Sequence, residues 1–171
     1  MPNTLTPNLS QLHNFSPDSR VWVYVCNRPL TESETNAVQQ QLDAFCLHWT
    51  AHNQALLATA EVFENQFVFL MVDETRAGAS GCSIDKSVHF LEQLGDAWNV
   101  DFFERMRFAW VGDDNQLKFA NQQELALAVK NQQITDTTLM ANTLVQSKRE
   151  LAEKWLQPFN ISWHRRIAAV N

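Results

Sequence analysis

Glycine is scarce in this chain: four residues in 171, at Gly78, Gly81, Gly95 and Gly112. None opens a GxxxxGK(S/T) loop, in which backbone amides cradle nucleotide phosphates and a lysine reaches them. The sequence therefore excludes a P-loop ATPase. Cysteine is sparse as well. Cys26, Cys46 and Cys82 form an odd set without CxxC spacing, which excludes a disulfide framework and points to a reducing compartment. No apolar run approaches the roughly 18 residues that a bilayer-spanning helix needs. The first 19 residues, MPNTLTPNLSQLHNFSPDS, have neither the basic nor the apolar region of a signal peptide. A cytoplasmic location is the expectation.

Positive charge is also in short supply. Thirteen Lys and Arg stand against nineteen Asp and Glu, for a formal net charge of −6. Without a basic stripe, nucleic acid and anionic membranes are not expected partners. The pair Arg165-Arg166 is too short to make one. What the chain has instead is apolar mass. Hydrophobic residues are 45% of it, with eleven Phe and six Trp, enough to fill one domain of this length without a disulfide or a metal. No cofactor is implied.

Residues 20–27 (RVWVYVCN) and 66–73 (QFVFLMVD) read as strands apolar on both faces, the pattern of central strands. Between them, Thr31 and Glu34 make a capping box for a helix running to about residue 50. Val38, Leu42, Phe45 and Trp49 form its apolar stripe. Residues 54–63 pair with 66–73 across a Glu64-Asn65 turn. The loop ETRAGASGCS leads to a second helix, with Ser83 as N-cap and Ile84, Val88, Leu91 and Trp98 inward. Residues 105–112 read as a strand, LKFA as a return strand and 122–131 as a helix. A short strand over 137–140 follows, then an amphipathic helix over 143–156 with Leu144, Leu151 and Trp155 inward.

The fold class is α+β. The order β-α-β-β-α-β over the first 112 residues is that of the ferredoxin-like fold. Its sheet places the first and third strands in the middle, where strands apolar on both faces belong. The expected organisation has three parts. An N-terminal arm over 1–19 docks through Leu9, Leu12 and Phe15, an α+β core spans 20–112, and a C-terminal extension over 113–171 covers the open face of the sheet.

The segments FCLHWTAHNQ, VDETRAGASGCSIDKSVHFLEQLG, DFFER and TLVQSKRELAEKWLQPF resemble a small family of bacterial proteins that carries the label ABC transporter ATPase. The resemblance covers most of residues 20–166. It implies no activity, and the label itself is not supported, since the phosphate loop and the LSGGQ signature that it requires are both absent. A second stretch, WVGDDNQLKFANQQELALAVKNQQITDTTLM, with Trp155 beyond it, resembles the bacterial GYF-like module. That resemblance implies a strand pair, a helix and a short strand ending near a tryptophan, with a peptide partner held by aromatic side chains. The Gly-Tyr-Phe tripeptide itself is missing, and a helix-sized insertion precedes Trp155.

Two places can carry chemistry. His48 and His52 are spaced i,i+4, which on a helix puts two imidazoles on one face for zinc. Cys46 falls nearly opposite His48 at about 100° per residue, and HEXXH is absent, so no metal is expected. Histidine near a helix C-terminus more often meets the dipole and the last carbonyls. Cys82 precedes a helix start, where free amides lower a thiol's pKa and bind an oxyanion. Ser80, Gly81, Ser83, Asp85 and His48 are the candidate ligand-binding residues there, and Gly78 and Gly81 leave room for close backbone approach.

In a ferredoxin-like sheet Asp73 shares one pole with His48, His52 and Cys82. The catalytic candidates are therefore Cys82 as nucleophile, His52 as base and Asp73 as the carboxylate that orients it. The competing reading is structural: Ser83 caps, Asp85 suits a helix start and Cys82 packs among small neighbours. His89 reads as surface, His164, Arg165 and Arg166 as solvated, and Trp22, Trp98, Trp110 and Trp155 as core.

Two functions remain in view. One is a non-catalytic binding protein with a protein or peptide partner. The other is a thiol-dependent or anion-recognising enzyme built on the Cys82 loop. An exposed Cys82 beside His52 favours the enzyme. A buried Cys82, with an aromatic groove between the sheet and the C-terminal unit, favours the binding protein.

Overall fold

The strand β5 (Phe67–Asp73) is buried along its whole length, and its alternate residues serve two different cores. Val68, Leu70 and Val72 pack on one side; Phe67, Phe69 and Met71 pack on the other. In the computed structural model, which describes residues 5–169, β5 is the centre of a three-stranded antiparallel sheet. Its neighbours are β1 (Arg20–Val25) and β4 (Leu57–Phe63). The β4–β5 hairpin closes on Glu64 and Asn65, both left-handed at φ 52° and 58°, the turn whose twist matches that of the strands.

Two helices cover one face of this sheet. α1 (Glu32–His48) starts at the capping box: the Thr31 hydroxyl accepts from the Glu34 amide, and the Glu34 carboxylate accepts from the Thr31 amide. Arg28 donates to both Glu34 oxygens at 2.9 Å and to the Trp98 carbonyl at 2.8 Å. One guanidinium thus joins the start of α1 to the end of α2 (Gly81–Trp98), and it is the main cause holding the Glu34 carboxyl down at about 2.

The buried stripe of α2 is Ser83, Ser87, Leu91, Leu94 and Gly95. That is one step round from the expected Ile84, Val88 and Trp98, which are half-buried. The two serines enter the core satisfied. Ser83 Oγ donates to the Ser80 carbonyl at 2.8 Å, and Ser87 Oγ donates to the Ile84 carbonyl at 2.6 Å.

Gly95 is required by a close approach. A Cβ there would stand 2.5 Å from the Val100 carbonyl oxygen, where the chain doubles back through left-handed Asn99. Gly95→Ala is therefore expected to lower stability by about 1–3 kcal/mol, outweighing alanine's better helix propensity. The check is a denaturation midpoint that falls at constant slope; an unchanged midpoint means that the turn after α2 yields.

β6 (Arg107–Val111) does not take the fourth place in the first sheet, which corrects the ferredoxin-like expectation. It joins a second antiparallel sheet, β7–β6–β8–β9, with β7 (Leu117–Asn121), β8 (Leu139–Ala141) and β9 (Leu156–Pro158). The outer edge of β1 meets isolated bridges instead, Val25 to Phe103 and Arg20 to Ser147. The physical reason lies in the partners of β6. Beside β1 it would have one hydrogen-bonded neighbour; in the second sheet it has two, β7 along its whole length and β8 at Trp110. Its two faces also find separate cores, Ala109 against the first sheet and Phe108 and Trp110 on the far side. The second layer therefore begins inside the 20–112 span expected for the core. β1 becomes an edge strand, and Val23 and Trp22 are half-buried.

The layers run α1 and α2, first sheet, second sheet, then α3 (Gln122–Lys130) with α5 (His164–Ala168). The helix expected over 143–156 is shorter. Ser147 caps α4 (Lys148–Lys154) by accepting the Glu150 amide, and β9 follows at once. Leu144 lies ahead of that cap and is exposed. In the N-terminal arm Leu9 and Phe15 are buried, and the Asn8 and Leu9 amides each donate to the Glu61 carboxylate at 3.0 Å. No helix among the described residues is long and apolar enough to cross a membrane.

Candidate functional site

α1 stops at His48 and Trp49 turns extended. β2 (Thr50–Ala51) and β3 (Gln54–Ala55) then form a small hairpin around His52 and Asn53, left-handed at φ 49° and 63°. His52 therefore stands on a turn, and the i,i+4 spacing does not give it one helical face with His48. Both are exposed. The Trp49 indole N–H donates to the Ser83 carbonyl at 2.8 Å, tying the end of α1 to the start of α2. Leu57 pairs with Asp73 at the same pole.

The elements meet there, but Asp73 is committed elsewhere. One of its oxygens accepts from the Ser16 amide at 2.8 Å; the other accepts from the Thr75 amide and hydroxyl at 3.0 and 2.7 Å. These bonds, Ser16 first, hold the carboxyl below its ordinary range. Among the described residues no hydrogen bond or ion pair joins Cys82, His52 and Asp73.

α2 begins three residues earlier than expected. Ser80 is the N-cap, its Oγ accepting from the Ser83 amide at 3.2 Å. Cys82 therefore lies inside the first turn and Asp85 just past it. Cys82 is exposed, while Cys26 and Cys46 are buried, and desolvation pushes both buried thiols up to about 12. A Cβ at Gly81 would meet nothing within 4 Å, so no crowding calls for a glycine there. A Cβ at Gly78 would meet the Glu74 carboxylate at 3.1 Å. Among the described residues no three of His, Cys, Asp and Glu converge to hold a metal ion.

His164 is the other correction at the residue level. It is buried rather than solvated. Its ring stacks on Trp163 with centroids 3.8 Å apart, meets Phe108 edge-on, and shares a hydrogen bond with the Ser162 hydroxyl. Desolvation lowers its pKa to about 4. Arg165 and Arg166 are exposed, as is His89.

An aromatic-lined concavity lies away from that pole. Where the two sheets part, beyond the outer edge of β1, a cleft of about 400 Å³ opens. β1 contributes Val23 and Tyr24, the 102–107 segment contributes Phe103, Arg105 and Arg107, and Leu144 and Trp163 come from the C-terminal part. Tyr24 and Phe103 meet edge-on at 5.4 Å. Trp163 is fixed by donating its indole N–H to Asn142 at 3.1 Å.

The charges of the cleft are unevenly engaged. Arg107 donates to the neutral Gln66 amide oxygen at 2.9 and 2.7 Å. Glu104 is turned back to accept from the Met106 amide at 2.7 Å. Arg105 is exposed and, among the described residues, has no hydrogen-bonding or ionic partner for its side chain.

A larger hollow, about 660 Å³, lies along α3, but it presents Gln, Lys and aliphatic side chains almost wholly from that one helix. Sequence reasoning missed the cleft residues Phe103, Arg105, Leu144 and Trp163. The one signal was DFFER, two aromatics between charges outside any helix or strand period. No family model, curated protein or solved structure matches the chain.

Proposed function

We propose that this is a non-catalytic binding protein that holds a protein or peptide segment in the cleft between its two sheets. The observation that carries this is the lining. Tyr24, Phe103, Leu144 and Trp163 gather in one concave site beside the polar side chains of Glu104, Arg105, Arg107 and Thr143, the mixture of apolar surface and placed polar groups found in ligand sites. The succession β6, β7, α3, β8 also follows the order that the GYF-like resemblance implies. Three free cysteines suit a reducing, cytoplasmic setting.

One observation favours the second reading. Cys82 is exposed at the start of α2, as a thiol-dependent or anion-recognising enzyme would need. The two readings separate in one titration of isotope-labelled protein with a pool of unstructured peptides, followed by NMR. Shifts are expected at Tyr24, Phe103, Leu144 and Trp163, abolished by Leu144→Glu and unaffected by Cys82→Ser. Leu144 is exposed, so its replacement leaves the core intact. Shifts centred on residues 80–85 and lost with Cys82→Ser would move the site to the α2 start and overturn the proposal.

A further inference from the structure

We infer that the segment held in the cleft is a short extended strand of a partner protein, which adds to the outer edge of β1 and sets a carboxylate against Arg105. This rests on the binding-cleft reading above and names the chemistry of its ligand.

The backbone of β1 carries the first half of the argument. Cys26 donates its amide to the Gln66 carbonyl, so in the antiparallel ladder with β5 the even-numbered residues of β1 face β5. The odd-numbered residues face outward. Two of them are already engaged: the Val21 amide donates to the Gln146 carbonyl at 3.0 Å, and the Val25 carbonyl accepts from the Glu104 amide at 3.1 Å. Val23 stands between them and lines the cleft. Its amide and carbonyl point out of the sheet edge with no partner among the described residues. An extended peptide satisfies such a pair directly, which is the basis of β-strand addition. From Val21 to Val25 the edge runs about 13 Å at ~3.3 Å per residue. The guest is therefore a short segment, bounded by Ser147 at one end and Phe103 at the other.

Charge carries the second half. The chain as a whole is acidic, with a net charge of −6, yet this cleft gathers two arginines. Arg107 donates to a neutral amide, Arg105 has no partner among the described residues, and the Glu104 carboxylate is turned to a backbone amide. A carboxylate on the guest supplies the missing anion, and a bidentate pair with a guanidinium is the strong form of that contact. Its apolar side chains lie beside the aromatic lining of the cleft.

The test uses the full chain and three pools of hexapeptides. The first alternates Glu with Val, Leu, Ile or Phe; the second replaces Glu by Lys; the third is the Glu pool with the central amides N-methylated. The Glu pool is expected to bind the cleft and to slow hydrogen exchange of the Val23 amide. The Lys and N-methylated pools are expected to bind at least about tenfold more weakly. Arg105→Glu, at an exposed side chain without partners among the described residues, is expected to reverse the preference between Glu and Lys. Binding in the cleft that ignores charge and N-methylation, with Val23 exchange unchanged, would overturn strand addition and leave the cleft reading standing. Absence of cleft shifts with all three pools would overturn both.

Discussion

Trp155→Ala is expected to remove about 3–5 kcal/mol of folding stability, a large share of the roughly 5–15 kcal/mol available to a domain. The indole is buried at the junction of the two sheets. It meets Phe67 and Phe69 edge-on at 5.2 Å each and Phe63 at 6.2 Å. Its N–H also donates to the Leu5 carbonyl at 2.9 Å, holding the N-terminal arm. Alanine removes the packing and the bond together. Trp155→Phe keeps much of the packing and loses the bond, so a smaller cost, nearer 1–2 kcal/mol, is expected. Denaturant unfolding of both variants is the measurement. Equal losses would mean that the indole N–H bond to the arm, and not the packing between the sheets, carries the contribution of Trp155.

Acid is expected to weaken the fold through His164. The folded pKa is about 4 and the ordinary value is 6.5. Between these the unfolded chain binds the proton and the folded chain does not. Stability therefore falls as pH drops from about 6.5 through 4, by up to about 3 kcal/mol below that. Glu34 acts in a lower window. Its folded pKa of about 2, against an ordinary 4.5, gives stability that is present above 4.5 and lost as pH falls through 2. His164→Phe keeps an aromatic ring against Trp163 and cannot take the proton. It is expected to abolish the loss between pH 6.5 and 4 while leaving the lower one in place. Tryptophan fluorescence against pH, for the natural chain and the variant at one denaturant concentration, reads this out. Identical profiles would show that the buried imidazole is protonated without cost.

Local signals were legible where the determinant is local. The Thr31–Glu34 capping box, the Glu64-Asn65 turn and the two-faced burial of β5 depend on residues a few positions apart. Pairing was not legible in the same way. The apolar character of 107–111 announces a strand but does not say which sheet receives it, since that depends on Met140 and Leu117 as much as on β1. Ser83 suits an N-cap by residue type, yet the cap is Ser80, three residues earlier, and Ser83 turns into the core. His164 sits before two arginines, so its neighbours in sequence argue for solvent, while its neighbours in space are Trp163 and Phe108. The cleft is assembled from four separate stretches, and no spacing along the chain encodes it.

The docked arm has a consequence for how the molecule is made. Contacts that hold it come from far later in the chain: Glu61, Asp73, the Lys148 and Arg149 amides and Trp155. The part of residues 5–169 that leaves the ribosome first is thus the part whose seat is completed last, when Trp155 emerges. Until then Leu9 and Phe15 are apolar side chains without a core, and the inner face of the first sheet is bare where the second sheet will lie. A nascent chain halted near residue 112 would expose both surfaces, the condition under which chaperones bind growing polypeptides.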